Sequence, residues 1–152
     1  MLCVKTMVKD SEIAGVGLFA AQDIKKGDVV WQFTPETCAT FTEIQINELT
    51  KSYHKQDIHI ILYFLTYCYY QKNLNSLIYC LDNGRYVNHA DKPNLGSPLE
   101  KPDGWKYSMA LRDIKNGEEL TENYNTYDAC AWLDDLCRTY GIIHFQLEAC
   151  RN

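Results

Sequence analysis

The spacing of apolar and polar positions changes character three times along this 152-residue chain. Up to about residue 42 the apolar positions come in short β-rich runs, at 16–20 and 29–33. Lys26-Gly27-Asp28 marks a turn between them. From Thr42 the spacing turns helical: Thr42 and Gln45 have capping-box spacing, and Ile46, Leu49 and Tyr53 follow on one face. A second helix is expected over about residues 57–72, apolar on most faces and therefore enclosed in the interior. Strand character returns at 77–81 and 106–111, and Asn116-Gly117 predicts a tight turn. In the tail, Ala129, Trp132, Leu133, Leu136, Cys137 and Tyr140 fall on one stripe of an amphipathic helix. Asp128 is placed to cap its start and Gly141 to stop it. No internal repeat or low-complexity segment is read from the sequence.

A chain of this length can bury a real core, so one domain suffices. An apolar content of 46% with 23% charged residues is that of an ordinary globular protein. The first ten residues mix Val4, Met7 and Val8 with Lys5, Lys9 and Asp10, which is not a secretory pattern. The richest apolar run, 58–70, contains His59 and Thr66 and is too short to span a bilayer, so no membrane partner is expected. Seven cysteines stand at 3, 38, 68, 80, 130, 137 and 150, an odd number without a Cys-x-x-Cys pair. That pattern favours reduced thiols inside a cell and disfavours a metal site. The net charge of −5 argues against nucleic acid as a direct ligand. Acidic residues gather late, at Glu118, Glu119, Glu122, Asp128, Asp134, Asp135 and Glu148. They form either a solvated surface or a field that attracts lysine-rich segments.

Three polar, turn-rich segments carry the candidate chemistry. Gly15-Val16-Gly17-Leu18-Phe19-Ala20 leads into Asp23-Ile24-Lys25-Lys26-Gly27-Asp28. Next comes Arg85-Tyr86-Val87-Asn88-His89-Ala90-Asp91-Lys92-Pro93-Asn94, and then Gly117-Glu118-Glu119-Leu120-Thr121-Glu122-Asn123-Tyr124. Gly15 and Gly17 permit close backbone approach to a ligand. They do not extend to a dinucleotide-binding G-x-G-x-x-G, because Ala20 stands at its third glycine. In this order the segments resemble the signature segments of the SET domain, the fold of many S-adenosylmethionine-dependent protein-lysine methyltransferases. The resemblance implies a mainly β fold of small sheets with a helical insertion and a knot-like C-terminal crossing. A single domain, 1–152, would comprise an N-terminal SET part (1–42), the insertion (43–74), a C-terminal SET part (75–125) and a helical tail (126–152). Many eukaryotic members carry a zinc-binding Cys-x-Cys segment after the domain, and Cys130 and Cys137 do not reproduce it.

The resemblance also implies S-adenosylmethionine as cofactor and a lysine-containing protein, a histone or another basic protein, as substrate. Methyl transfer to an amine is an in-line displacement that needs collinear reactants and a dry site. Lysine titrates at about 10.4, so the amine must lose a proton, which a desolvated channel beside a cation favours. In the family pattern Tyr124 is the catalytic residue and also borders the cofactor, its hydroxyl a neutral dipole that orients amine and methyl. Cofactor binding would fall to the backbone strip Ala14, Gly15, Val16 and Gly17, and to Arg85, Tyr86, Asn88 and His89. The Asn88 amide suits the amino-acid end of the cofactor, and Arg85 suits a carboxylate. Tyr79 either lines a lysine channel or packs in the core, and Trp132 either covers the adenine or is a core tryptophan. Pro93-Asn94 closes its segment as a rigid turn. The sequence departs from the pattern at Ala90, Asp91 and Lys92, and at Glu122, where an aromatic residue is common. The Glu122 carboxylate either accepts from the amine or points to solvent. A catalytically inactive SET-fold protein-binding module is the alternative, and a small Cys/His metal protein is disfavoured by the ligand spacing.

Overall fold

The structure is a computed structural model that describes residues 1–52, 58–98 and 100–141. Tyr53, Asp57, Glu148 and Cys150 of the sequence argument lie outside the described residues. The strands are β1 (Thr6–Asp10), β2 (Val16–Ala20), β3 (Val29–Gln32), β4 (Cys38–Phe41), β5 (Cys68–Gln71), β6 (Ser76–Cys80), β7 (Asn88–His89), β8 (Leu95–Gly96), β9 (Tyr107–Ala110) and β10 (Thr121–Glu122). The helices are α1 (Glu43–Ser52), α2 (Ile58–Thr66) and α3 (Ala131–Tyr140). The fold is thus mainly small sheets with helices inserted, as expected. The chain divides into two compact units: Met1–Cys38 with Cys80–Asn123, and Ala39–Tyr79 with Tyr124–Asn152.

In the first unit β1 and β2 form an antiparallel hairpin whose last pair is Asp10 with Val16. Its loop is closed by the Ser11 N–H donating to the Gly15 carbonyl at 3.0 Å, with Gly15 at φ +47°. A side chain at Gly15 would be strained there, which is the reason for glycine. Strands β3, β9 and β8 make a three-stranded antiparallel sheet in that order, and β7 and β10 pair in parallel. The core consists of Leu18, Ala20, Ile24, Val30, Leu95, Ala110, Ile114 and Leu120, with Leu2, Val4, Tyr86 and Val87 against it. Burying each large aliphatic side chain stabilises the fold by about 1.5–3 kcal/mol.

A repeat not read from the sequence alone is visible in this unit. Asp23-Ile24-Lys25-Lys26-Gly27-Asp28 and Asp113-Ile114-Lys115-Asn116-Gly117-Glu118 build the same turn twice. Gly27 and Gly117 adopt φ +90° and +92°, which glycine tolerates without cost. In each copy the acid at the last position accepts the N–H of the lysine three residues earlier, Asp28 from Lys25 and Glu118 from Lys115. At six residues and four identities the repeat is too short for periodicity to reveal.

In the second unit the capping box forms as expected: the Thr42 N–H donates to Gln45 Oε1 at 2.9 Å, and the Gln45 N–H to Thr42 Oγ1 at 3.4 Å. The second helix is shorter than expected, because it stops at Thr66 and residues 68–71 pair as β5 with β6. Tyr67, Cys68, Tyr69 and Tyr70 favour an extended backbone, and the following Lys72–Asn75 turn, with Asn75 at φ 46°, closes a hairpin. The sheet order is β4-β6-β5. Ile46, Ile61, Leu65, Cys68, Leu77, Cys130, Leu133 and Cys137 form the core, with Trp132, Leu136 and Tyr140 of the expected tail stripe packed against it, while Ala129 lies exposed ahead of the helix. Burial pushes the Cys130 and Cys137 thiols up to about 11, and both act as small apolar side chains. Gly141 ends α3 in the left-handed conformation, as expected, with its N–H on the Arg138 and Cys137 carbonyls. Asp128 does not cap that helix. Cys130 holds the cap position, and Asp128 instead accepts the Lys72 N–H and pairs with Lys72 Nζ at 3.3 Å.

Candidate functional site

Within the first unit the strip Ala14–Gly17 and Asn88 come together. Asn88 Nδ2 lies 3.1 Å from Ser11 Oγ, 3.3 Å from the Ala14 carbonyl, 3.1 Å from the Val16 carbonyl and 2.8 Å from Glu119 Oε1. The Ser11 hydroxyl donates to the same Glu119 oxygen at 2.7 Å and accepts the Ile13 N–H at 2.9 Å. Gly17 makes this approach possible, since a Cβ there would stand 2.2 Å from Glu119 Oε1. Neither Ser11 nor Glu119 is among the residues singled out in the sequence for binding. The signals were a serine opening a tight turn and a carboxylate inside the Gly117–Leu120 segment, both of which read equally well as surface groups.

Backbone pairing carries this segment to its place. The Ala20 N–H donates to the Glu118 carbonyl, and the Leu120 N–H to the Leu18 carbonyl, so residues 118–120 run along β2. Thr121 and Glu122 then pair with Asn88 and His89, and the Ala90 N–H donates to the Glu122 carbonyl at 2.9 Å. Asn94, only 3% exposed, pins residues 119–121: its Nδ2 donates to the Glu119 carbonyl at 2.7 Å, and its Oδ1 accepts the Thr121 N–H at 2.9 Å. The residue expected to close a turn therefore works as a two-point clamp on another segment.

The other sequence candidates of this unit take less direct positions. His89 Nε2 lies 3.4 Å from Asp91 Oδ1. Arg85 donates to the Leu81 carbonyl and the Tyr86 hydroxyl, each at 3.1 Å, and its guanidinium lies over the Tyr86 ring. Both belong to a 3-10 turn, Asn83–Tyr86, capped by the Asp82 side chain. Glu122, expected either to meet the amine or to point to solvent, accepts a hydrogen bond from the buried Ser108 hydroxyl. The acidic cluster is accordingly less of an open field than its sequence suggests. Arg112 beside Glu118, at 2.8 Å, holds that carboxyl below its ordinary range, while Glu119 and Glu122 are engaged locally.

Tyr124, Tyr79 and Trp132 belong to the second unit. Tyr124 is half-buried, opens a 3-10 turn (Tyr124–Thr126) and stacks on Tyr127 with ring centres 5.6 Å apart. Tyr79 ends β6 one residue before its last and stacks on Phe64 at 5.3 Å. Trp132 meets Tyr70 edge-on at 6.3 Å and packs against the core of that unit. Among the described residues no group of three His, Cys, Asp or Glu side chains is arranged to hold a metal ion.

Residues 15–125 match the SET domain family. The chain belongs to that family. Its SET domain is 28% identical over 158 aligned residues to the variant-silencing SET domain-containing protein of Plasmodium falciparum, an alignment that covers 94% of this chain and 6% of that protein. It is 29% identical over 115 residues to the histone-lysine N-methyltransferase EZH2 of Chaetomium thermophilum, covering 74% and 8%. The chain thus spans less than a tenth of the length of these relatives. In fold it is similar to the Polycomb repressive complex 2 of the same fungus in an autoinhibited conformation bound to S-adenosylmethionine, with a TM-score of 0.58, 20% identity, and coverage of 90% of this chain and 17% of the other.

Proposed function

We propose that this SET domain transfers a methyl group from S-adenosylmethionine to a lysine side chain of a protein, with a histone as the first substrate to test. The observation that carries the reading is the gathering of the Asn88 amide, the Ala14 and Val16 carbonyls and the Gly17 backbone in one corner of the first unit. Those groups fit the cofactor's amino-acid end, whose ammonium donates to acceptors such as a carbonyl or amide oxygen. Gly15 leaves open space where a side chain would otherwise project. Two relatives support the reading: one is named a histone-lysine N-methyltransferase, and the other was solved with S-adenosylmethionine.

When bound, S-adenosylmethionine supplies an electrophilic methyl on a sulfonium centre. The rest of the work falls to the protein. Ala14–Gly17, Arg85, Tyr86, Asn88 and His89 hold the cofactor in this reading, and Tyr124 presents a hydroxyl dipole that orients the incoming amine. A site that excludes water favours the neutral amine over its protonated form, against an ordinary lysine value of about 10.4. The test is transfer of labelled methyl to histones and other lysine-rich proteins, with the modified residue mapped. Asn88→Ala should weaken cofactor binding by about 1–3 kcal/mol, and unchanged affinity in a folded variant would count against the site. If the wild type binds a protein partner yet methylates nothing, the catalytically inactive binding module replaces this reading.

A further inference from the structure

Four acceptors surround the Asn88 side-chain nitrogen within 3.3 Å: Ser11 Oγ, the carbonyls of Ala14 and Val16, and Glu119 Oε1. An amide nitrogen has two hydrogens to give, so the hold on it is redundant. Two of the four are backbone carbonyls, which only accept, and an ionised carboxylate only accepts as well. The Ser11 hydroxyl hydrogen is committed to Glu119, which leaves Ser11 Oγ facing Asn88 as an acceptor too. The amide therefore has one favoured orientation. Reversing it would set the carbonyl oxygen of Asn88 against these acceptors, at a cost of several lost hydrogen bonds. Among the described residues Asn88 Oδ1 accepts no hydrogen bond.

We infer that Ser11 and Glu119 are positioning residues that lock the Asn88 amide with its oxygen outward, so that this corner of the first unit receives an alkylammonium group. The inference rests on the proposed cofactor reading, in which that ammonium belongs to the amino-acid end of S-adenosylmethionine. It adds two residues that act through Asn88. Glu119 works here because Gly17 leaves room for its carboxylate, and Ser11 works because the hairpin loop turns its hydroxyl inward. A carboxylate bonded to the amide nitrogen also polarises the amide and makes its oxygen a better acceptor.

Two measurements test this on the full chain with Glu119→Gln and Ser11→Ala. The first is calorimetric titration with S-adenosylhomocysteine and with 5′-methylthioadenosine, which carries the nucleoside and no amino acid. Glu119→Gln should weaken S-adenosylhomocysteine about tenfold, the size of one charge-assisted hydrogen bond, and leave methylthioadenosine unchanged. Ser11→Ala should act in the same direction and less. Equal weakening of both ligands, or of neither, would overturn the inference, because a merely structural role does not discriminate between them. The second measurement uses the ligand-free protein: the Asn88 side-chain NH₂ should exchange slowly in the nuclear magnetic resonance spectrum and faster in Glu119→Gln. A freely exchanging NH₂ in the wild type would overturn the locked orientation whatever the ligand. A protected NH₂ in a wild type that binds neither nucleoside would support the orientation and sink the cofactor reading instead.

Discussion

Ile24 and Ile114 exchange backbone hydrogen bonds in both directions, each 2.9 Å long, at the centre of two copies of one turn. Both side chains are buried in the same core. Around them the polar contacts repeat with the partners swapped. Asp23 accepts the Asn116 N–H at 3.0 Å and pairs with Lys115, while Asp113 accepts the Lys26 N–H at 2.9 Å and pairs with Lys25. The turn ending at Gly117 leads straight into Glu118–Leu120, which delivers Glu119 to Asn88. The repeat is thus part of what positions the site.

This reciprocity predicts an acid-sensitive junction. Asp23 and Asp113 are both held below the ordinary value of 3.8, first by the backbone N–H of the opposite turn and then by the opposite lysine. A carboxyl whose folded value is depressed contributes stability that is full above its unfolded value and fades as pH falls through the folded one. The contribution should therefore be intact near neutrality and be lost below pH 3.8. Asp23→Asn and Asp113→Asn should each flatten the acid limb of stability against pH, measured by denaturant unfolding. An unchanged limb in both variants would show that these two carboxylates do not set the acid sensitivity of the unit.

Asn94→Ala should destabilise the protein by about 2–4 kcal/mol, because it strands the Glu119 carbonyl and the Thr121 N–H in a buried place. Asn94→Asp keeps the acceptor for Thr121 but sets a buried carboxylate oxygen against the Glu119 carbonyl, so it should cost at least as much. The check is the midpoint of denaturant unfolding at neutral pH. A loss below about 0.5 kcal/mol in Asn94→Ala would mean that water replaces the clamp without cost.

Gly17→Ala separates binding from folding. The added Cβ would meet a Glu119 oxygen at 2.2 Å, and a carboxylate at the end of a flexible side chain can retreat. Retreat releases both Ser11 and Asn88. We expect a stability loss of about 1 kcal/mol and a much larger relative loss of S-adenosylhomocysteine affinity. Equal thermal stability with unchanged affinity would show that Glu119 does not need that space.

Much of this was legible in the sequence wherever local chemistry decides the structure. Strand β2, the Thr42-Gln45 box, the buried stripe of α3 and the Gly141 stop each depend on residues within a turn of one another. The SET pattern groups Ala14–Gly17 with Asn88, and in the structure the Asn88 amide meets the Ala14 and Val16 carbonyls. What stayed hidden depends on partners far along the chain. Ser11 meets Asn88 across 77 positions, and Asn94 grips Thr121 across 27. The local sequence makes Asp128 a helix cap, yet its partner Lys72 sits 56 positions away. The sequence does not separate strand β5 from the helix before it, because an apolar run of that length has no unambiguous period.

Tyr124 is where the proposed chemistry meets its most direct test. It lies two positions beyond Glu122, whose pairing with His89 fixes the end of the first unit, and its ring stacks on Tyr127. Tyr124→Phe keeps the ring and that stacking, so unfolding midpoint and S-adenosylhomocysteine affinity should change little. The lost hydroxyl acts on the reacting amine and methyl, so the methyl-transfer rate should fall by about a hundredfold to a thousandfold, the usual cost of one preorganised donor. Single-turnover measurement at saturating cofactor makes the comparison, since it separates the chemical step from binding. A variant that methylates as fast as the wild type removes Tyr124 from the mechanism. A variant that loses rate and cofactor affinity by the same factor makes it a binding residue, with no special role in the transition state.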